Sequence, residues 1–289
     1  MHIPIVHEDM TPASLPERVK SSIRRRVVGL FNDVERGQTP VMRSPDALFA
    51  PGSVVWRVHG DVGSMMVGGV ASLLLQMLHP SVLAGVWDHS NFRKDMHGRL
   101  RRTARFIAMT TYGERTSAET AIATVRRVHD RVAGTLPDGT PYSANDPALL
   151  AWVHVTETSS FLDAWIRYGE PLMPTSEQDR YFAQMAQVGE MLGADPLPRS
   201  RAQAQQLTAQ MRPQLKVDAR TREIAELILA GRGAPAMGEV PRKLAMQAAI
   251  DLLPDWARRM HGFSLSPLER PLVRAGTFGV AQTLRWAFR

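Results

Sequence analysis

One stretch of the sequence combines hydrogen-bond donors with an aromatic ring at helical spacing. In RLRRTARFIAMTTYG, residues 99–113, steps of three or four residues bring Arg99, Thr103, Phe106 and Thr110 to one side of a helix. A guanidinium and a hydroxyl group on an inward face can donate hydrogen bonds to a bound oxygen species or to an anionic group. The pattern therefore predicts one wall of a pocket, or else a well-satisfied part of the core.

A second stretch places a histidine on an apolar stripe. In VRRVHDRVAG, residues 125–134, His129 shares its helical stripe with Ile122, Val125 and Val132. Burial disfavours the charged imidazolium, so such an imidazole stays neutral, and the neutral form is the one that binds iron. His129 is therefore a candidate metal ligand, and a core histidine is the alternative.

The other histidines widen the choice of ligand. Four of the nine histidines lie in strongly apolar surroundings: His59, His79, His129 and His154. His154, with Thr156 and Glu157 as possible hydrogen-bonding partners, is the second candidate ligand. His79 precedes Pro80, a position that favours a helix cap. Each of the four is alternatively a satisfied core histidine.

Several classes of site are excluded by the residues that the chain lacks. There is no cysteine, which excludes disulfides, thiolate nucleophiles and iron–sulfur ligation. No dinucleotide fingerprint, phosphate loop, H-E-x-x-H motif or nucleophile elbow is present. Repeated Glu-x-x-His units, which a di-iron carboxylate bundle needs, are also absent. A single histidine opposite a cationic and hydroxylic wall fits a haem whose other face receives dioxygen.

Almost every element that must position these residues is predicted to be helical. We expect one all-α domain over residues 1–289, because runs with strand-like alternation hardly occur. Ser14 and Glu17 form a possible capping box, and VVWRVHGD is either a strand or the start of a helix. Further helices are predicted at about 65–78, 98–112, 116–134, 146–169, 176–192, 202–212, 219–231, 241–261 and 268–288.

The formal net charge of +7 raises the question of anionic partners. The cations are spread over several helices without interleaved aromatic residues, which disfavours nucleic acid. The first helix is amphipathic and basic, which favours either peripheral contact with an anionic membrane or a solvated face. Residues 267–289 are again amphipathic and basic, which favours docking either on the body of the protein or on a membrane. No secretory signal pattern precedes them, so we expect a cytoplasmic protein. On the first helix the basic face consists of Arg18, Lys20, Arg24, Arg25 and Arg26.

The order of motifs resembles the oxygenase domain of the MpaB and latex-clearing rubber oxygenase family over about residues 50–260. The motifs are WRVHGD, LLLQMLHPSVLAGVWDHSNF, GRLRRTARFIAMTTYG, VRRVHDRVAG, GTPYSANDPALLAWVHVTE, YGEPLMPTSEQDRYFAQ and LGAD. The resemblance implies an all-α fold and a non-covalent b-type haem with His129 as its axial ligand. It places Arg99 and Thr103 on the other side of the iron. Characterised members cleave carbon–carbon double bonds of isoprenoid chains with dioxygen.

Some positions depart from the family pattern. Rubber oxygenases have a lysine before the threonine that can cap the iron, whereas this chain has Arg102, which stays protonated and is a poor iron ligand. Asp88 is the candidate for the family's acidic pocket residue. The expected function is a haem b-dependent oxygenase acting with dioxygen on an isoprenoid or lipid-like substrate, and the alternative is a non-catalytic helical protein that binds a hydrophobic ligand. The expected site consists of Arg99, Arg102 and Thr103 as catalytic residues, and His129, Arg99, Thr103, Phe106 and His154 as haem contacts.

Overall fold

The predicted all-α fold class is confirmed. A computed structural model describes residues 14–231 and 238–289. Helices in these ranges are α1 Leu15–Phe31, α2 Val54–His59, α3 Val62–Gln76, α4 Pro80–His89, α5 Met96–Tyr112, α6 Arg115–His129, α7 Pro147–Tyr168, α8 Thr175–Leu192, α9 Arg201–Met211, α10 Ala219–Ala230, α11 Glu239–Leu252, α12 Asp255–His261 and α13 Glu269–Phe288. The described residues also contain two short 3-10 turns, Val34–Arg36 and Arg212–Gln214. A small hairpin consists of β1 Ala133–Thr135 and β2 Pro141–Ser143.

Helices α3 and α7 form the centre of the molecule. They share the most extensive helix–helix interface, and side chains from both belong to one continuous buried cluster that runs from Leu48 to Val273. The two backbones approach closely at Gly68 of α3, where a Cβ atom would lie 2.8 Å from the carbonyl oxygen of Ser160. The absence of a side chain at Gly68 therefore sets the spacing of the central pair.

We expect Gly68→Ala to lower the free energy of unfolding by about 1–3 kcal/mol, because its methyl group would overlap Ser160 and Phe161. Urea titration measures this change. Gly69→Ala is the matched control: its Cβ would meet nothing closer than Phe161 Cε1 at 3.7 Å, so we expect a gain of about 0.5–1 kcal/mol from helix propensity. Equal effects of the two substitutions would contradict the close approach of α3 and α7.

Helices α5 and α6 form an antiparallel hairpin. The Asp95 carboxylate caps α5 by accepting a 2.8 Å hydrogen bond from the Gly98 amide. The helix predicted at 116–134 ends at His129, so the prediction is wrong for its last turn. Val132 lies after α6, and its amide bonds to the His129 carbonyl before the chain enters β1. The reason is the β hairpin, whose turn contains Gly139 at φ 87°.

Other boundaries also differ from the sequence prediction. VVWRVHGD is helical, because the Ser53 hydroxyl group accepts a hydrogen bond from the Trp56 amide and caps α2. The helix predicted at 241–261 is two helices, since Pro254 separates α11 from α12. Ser14 makes no side-chain cap, so the predicted capping box is absent. The segment between the helices predicted at 219–231 and 241–261 lies partly outside the described residues.

The C-terminal helix α13 packs against α3, α11 and α1. The Arg285 guanidinium fixes it to the N-terminus of α3 through a 2.6 Å ion pair with Asp61. No single helix among the described residues is long and apolar enough to cross a membrane; α3 and α4 together pass that test by length and composition, with a bend of 103° between them.

Candidate haem and oxygen site

The α5–α6 hairpin brings Arg99 and His129 together. Only Gly113 and Glu114 separate the two helices, so the end of α6 lies beside the beginning of α5. Burial lowers the pKa of His129, the Asp130 carboxylate opposes this, and the Arg99 cation lowers the pKa further. His129 is consequently a neutral imidazole in the field of a cation.

The imidazole of His129 has an unused nitrogen. Its Nδ1 atom is buried and has no hydrogen-bond partner, and it is the one histidine nitrogen in this state among residues 14–231 and 238–289. A buried polar atom without a partner costs about 1–3 kcal/mol, so this arrangement calls for an explanation. A metal ion or ligand bound to the ring would supply one.

Arg99 is partly buried beside it. Its Nη1 donates a 2.8 Å hydrogen bond to the Ser90 hydroxyl group, which anchors the guanidinium between α5 and the end of α4. Burial lowers the pKa of Arg99, and the neighbouring Arg102 cation adds to this. No carboxylate within the described part of the chain forms an ion pair with Arg99. Its remaining donors are therefore available to a bound anion or oxygen species.

The other residues of the Arg99 stripe take different positions. Thr103 is exposed, one turn after Arg99, and its hydroxyl group donates to the Arg99 carbonyl oxygen at 3.3 Å. Phe106 is half-buried and packs against the main core. Thr110 is buried, but its hydroxyl group donates to the Phe106 carbonyl oxygen of its own helix. The polar part of the stripe is thus limited to Arg99 and Thr103.

Arg102 lies on another side of α5. Its side chain is 68% exposed and forms a 3.3 Å ion pair with Asp95. It lines a cavity of about 300 Å³ together with Arg36, Arg101 and Arg105. The structure therefore does not bring the Arg102 side chain to the Arg99–His129 site, because its direction from the helix axis favours the carboxylate at the start of α5.

His154 lies on α7 and is buried, and burial lowers its pKa to about 4. A Cβ atom at Gly189 of α8 would lie 3.3 Å from its Cε1, so the ring packs against that helix. Thr156 is not its partner: the Thr156 hydroxyl group donates to the Trp152 carbonyl oxygen at 2.8 Å. His154 is neutral and enclosed, as a ligand or a core histidine would be.

Glu157 follows one turn after His154, and sequence reasoning gave it no more than a supporting role. Burial raises its pKa to about 7, and no hydrogen bond or cation counteracts this shift. The same carboxylate raises the pKa of Tyr181 across on α8, after the effect of burial. An acidic group that is protonated near neutral pH is therefore enclosed between α7 and α8.

We expect Glu157→Gln to stabilise the protein more at high pH than at low pH. Between about pH 4.5 and 7 the unfolded chain releases the Glu157 proton while the folded chain retains it, so the free energy of unfolding falls as pH rises. Allowing for its partial exposure, the cost above that window is about 1–3 kcal/mol. Urea titrations at about pH 5 and about pH 8 measure the difference. If the variant and the wild type differ in free energy of unfolding by the same amount at both pH values, Glu157 does not have a raised pKa in the folded protein.

Two of the four apolar histidines have structural roles. His59 bridges the Thr111 hydroxyl group at 2.8 Å and the Tyr181 hydroxyl group at 2.9 Å, and burial lowers its pKa to about 3. His79 caps α4 by accepting a hydrogen bond from the Ser81 amide, as predicted. Both are satisfied core histidines, which leaves His129 and His154 as candidates.

Asp88, the candidate acidic pocket residue, is exposed at the end of α4. It accepts a 2.8 Å hydrogen bond from the Tyr142 hydroxyl group of β2. This bond joins α4 to the hairpin that follows His129. Asp88 therefore has an evident structural partner, whereas no hydrogen bond counteracts the raised pKa of Glu157.

Within residues 14–231 and 238–289, no group of three or more histidine or acidic side chains lies close enough to hold a metal ion. An iron carried by a porphyrin needs one axial protein ligand. His129 meets that requirement, since it is neutral and has a buried nitrogen without a partner. The residues present therefore fit a haem.

A family model described as "ER-bound oxygenase mpaB/B'/Rubber oxygenase, catalytic domain" matches residues 56–286. The chain belongs to this family. The match covers α2 to nearly the end of α13 and includes Arg99, Thr103, His129 and His154. No curated protein and no solved structure matches the chain. The family assignment makes the chain an oxygenase catalytic domain.

Proposed function

We propose that this protein is a haem b-dependent oxygenase that uses dioxygen to oxidise an apolar, isoprenoid or lipid-like substrate. One observation supports the haem: the Nδ1 atom of His129 is buried without a hydrogen-bond partner, and the Arg99 cation of the adjacent helix is near enough to lower the pKa of this imidazole. The oxygenase family supports the use of dioxygen. The family description, which includes a rubber oxygenase, supports an apolar isoprenoid substrate.

The roles of the residues follow from their positions. His129 would hold the haem iron, with its imidazole kept neutral by burial and by the Arg99 cation. A bound haem would supply an iron that binds and activates dioxygen. Arg99, anchored by Ser90, supplies fixed hydrogen-bond donors to the oxygen species or to a propionate, and Thr103 adds a hydroxyl group one turn away. Fixed donors of this kind act strongly where water is excluded.

We propose a second group of contacts from α5 and α7. Phe106 contributes an aromatic ring that is half-buried against the core. His154 contributes a neutral imidazole, and the enclosed Glu157 carboxyl group can hold a proton near neutral pH. These groups favour a flat apolar cofactor and an apolar substrate, because a charged substrate would lose hydration here without a paired counter-ion.

Titration of the purified chain with hemin tests this function. We expect saturation at one hemin per chain, an intense Soret band distinct from that of free hemin, and a shift of this band on reduction with dithionite. Oxygen uptake that depends on an unsaturated isoprenoid lipid then tests the substrate class. If the spectrum remains that of free hemin, the proposed haem binding is overturned. Haem binding without lipid-dependent uptake would overturn the substrate class alone.

A further inference from the structure

The outward side of α13 is apolar and exposed. Spacings of three and four residues align Leu268, Leu272, Ala275, Gly279, Gln282 and Trp286, with Phe278 beside them; we name this row the outer stripe. The exposed fractions are 83% for Leu268, 73% for Leu272, 44% for Phe278 and 42% for Trp286. The opposite side of α13 carries the buried Val273, Thr277 and Ala281. One helix thus has an inner apolar side against the core and an outer one in solvent.

Positive charge accompanies the outer stripe. Residues 270–289 contain four arginines and no acidic residue. Arg270 and Arg274 pair with Asp251 and Arg285 pairs with Asp61, so the positive charge of the outer side comes mainly from α1. Helix α1 packs against α13 and carries five cations and one carboxylate. At their contact, Lys20 Nζ lies 5.4 Å above the Trp286 ring, and Arg24 bonds to the Ala287 carbonyl oxygen. Exposed Arg25 and Arg26 follow on α1. The tryptophan end of the stripe consequently contacts Lys20, and α1 adds the exposed Arg25 and Arg26.

Charge indicates what covers this surface. A second copy of the chain would place its own cations of α1 against the cations of the first copy, and like charges repel. An anionic bilayer supplies both the negative charge for the cations and an apolar layer for the leucine and aromatic side chains. Tryptophan beside lysine and arginine is typical of groups that lie at a lipid headgroup boundary.

We propose that the outer stripe of α13, with the cations of α1, docks this protein on an anionic lipid bilayer. The helix lies in the plane of the surface, with its inner side still bound to the core. The docking depends on α13 and α1 and not on His129 or a bound haem, so it stands or falls separately from the proposed function.

Flotation of the purified full chain with lipid vesicles tests the docking. We expect binding to vesicles that contain phosphatidylglycerol, little binding to pure phosphatidylcholine, and weaker binding as salt rises. Leu272→Glu should reduce the bound fraction by about tenfold or more, because it places a charge in the apolar stripe. Leu172→Glu is the matched control: Leu172 is 93% exposed between α7 and α8, and this variant should bind like the wild type.

A second variant tests how much the cations of α1 contribute to vesicle binding. Arg25→Gln combined with Arg26→Gln should weaken binding to phosphatidylglycerol vesicles by about fivefold for each cation, with the circular dichroism spectrum unchanged. No binding of the wild type, or equal losses for Leu272→Glu and Leu172→Glu, would overturn the proposal. So would a wild-type dimer in light scattering that Leu272→Glu dissociates, since a second copy would then cover the stripe.

Discussion

His129→Ala is expected to lose at least about 100-fold in hemin affinity, because even the outer-shell partners of metal ligands contribute about 10–100-fold. The Soret band of the wild type should be absent from the variant at equal hemin. The unliganded variant should unfold in urea close to the wild type, since the substitution also removes a buried nitrogen that has no partner. Loss of haem binding with little loss of stability is the result that identifies a ligand.

Two other histidines provide the comparison. His89→Ala is the control. His89 is exposed at the end of α4, and its Nε2 atom bonds to the Ala133 carbonyl oxygen at the surface, so hemin binding should be retained. His154→Ala tests the second candidate ligand and should leave the Soret band in place while altering its position. A His129→Ala protein that binds hemin normally would contradict the assignment, and loss of the band in His154→Ala alone would transfer the axial role to α7.

The sequence predicted the helical framework of the site because apolar periodicity is a local signal. It predicted α5 within two residues at its start. It left open whether Arg99 and His129 line two walls of a pocket or belong to the core. Val132 was assigned to α6 because VRRVHDRV continues the apolar spacing. The end of the helix depends on pairing with β2, which a helical pattern does not reveal.

The partners of the site residues depended on contacts between distant segments. His59 could be a ligand by sequence, and its role became evident only through Tyr181, which is 122 positions later in the chain. Arg102 follows Arg99 by three residues, yet a carboxylate at the start of α5 turns it elsewhere. Glu157 had no distinctive signal, because it shares the 22-residue helix α7 with a second acid, Asp163, and becomes unusual only when α8 encloses it.

Asp251→Ala is expected to lower the free energy of unfolding by about 1.5–3 kcal/mol, because the partly exposed Arg167 and Arg274 lose charge-assisted hydrogen bonds to a buried carboxylate. Asp251 of α11 is fully buried and accepts hydrogen bonds from Arg167 of α7 at 2.9 Å and Arg274 of α13 at 2.7 Å. Arg270 lies 3.8 Å away. One carboxylate therefore holds three helices together, among them α13 with its outer stripe.

The control for Asp251 is an ion pair at the surface. Glu223→Ala removes the partner of Arg93 at 2.7 Å, where both side chains are nearly half exposed, and it should cost less than about 1 kcal/mol. Urea titration of both variants gives the comparison. A loss below about 1 kcal/mol for Asp251→Ala as well would mean that water replaces the carboxylate at the three arginines. Docking of α13 on the core would then depend on Val273, Ala281 and the Arg285–Asp61 pair.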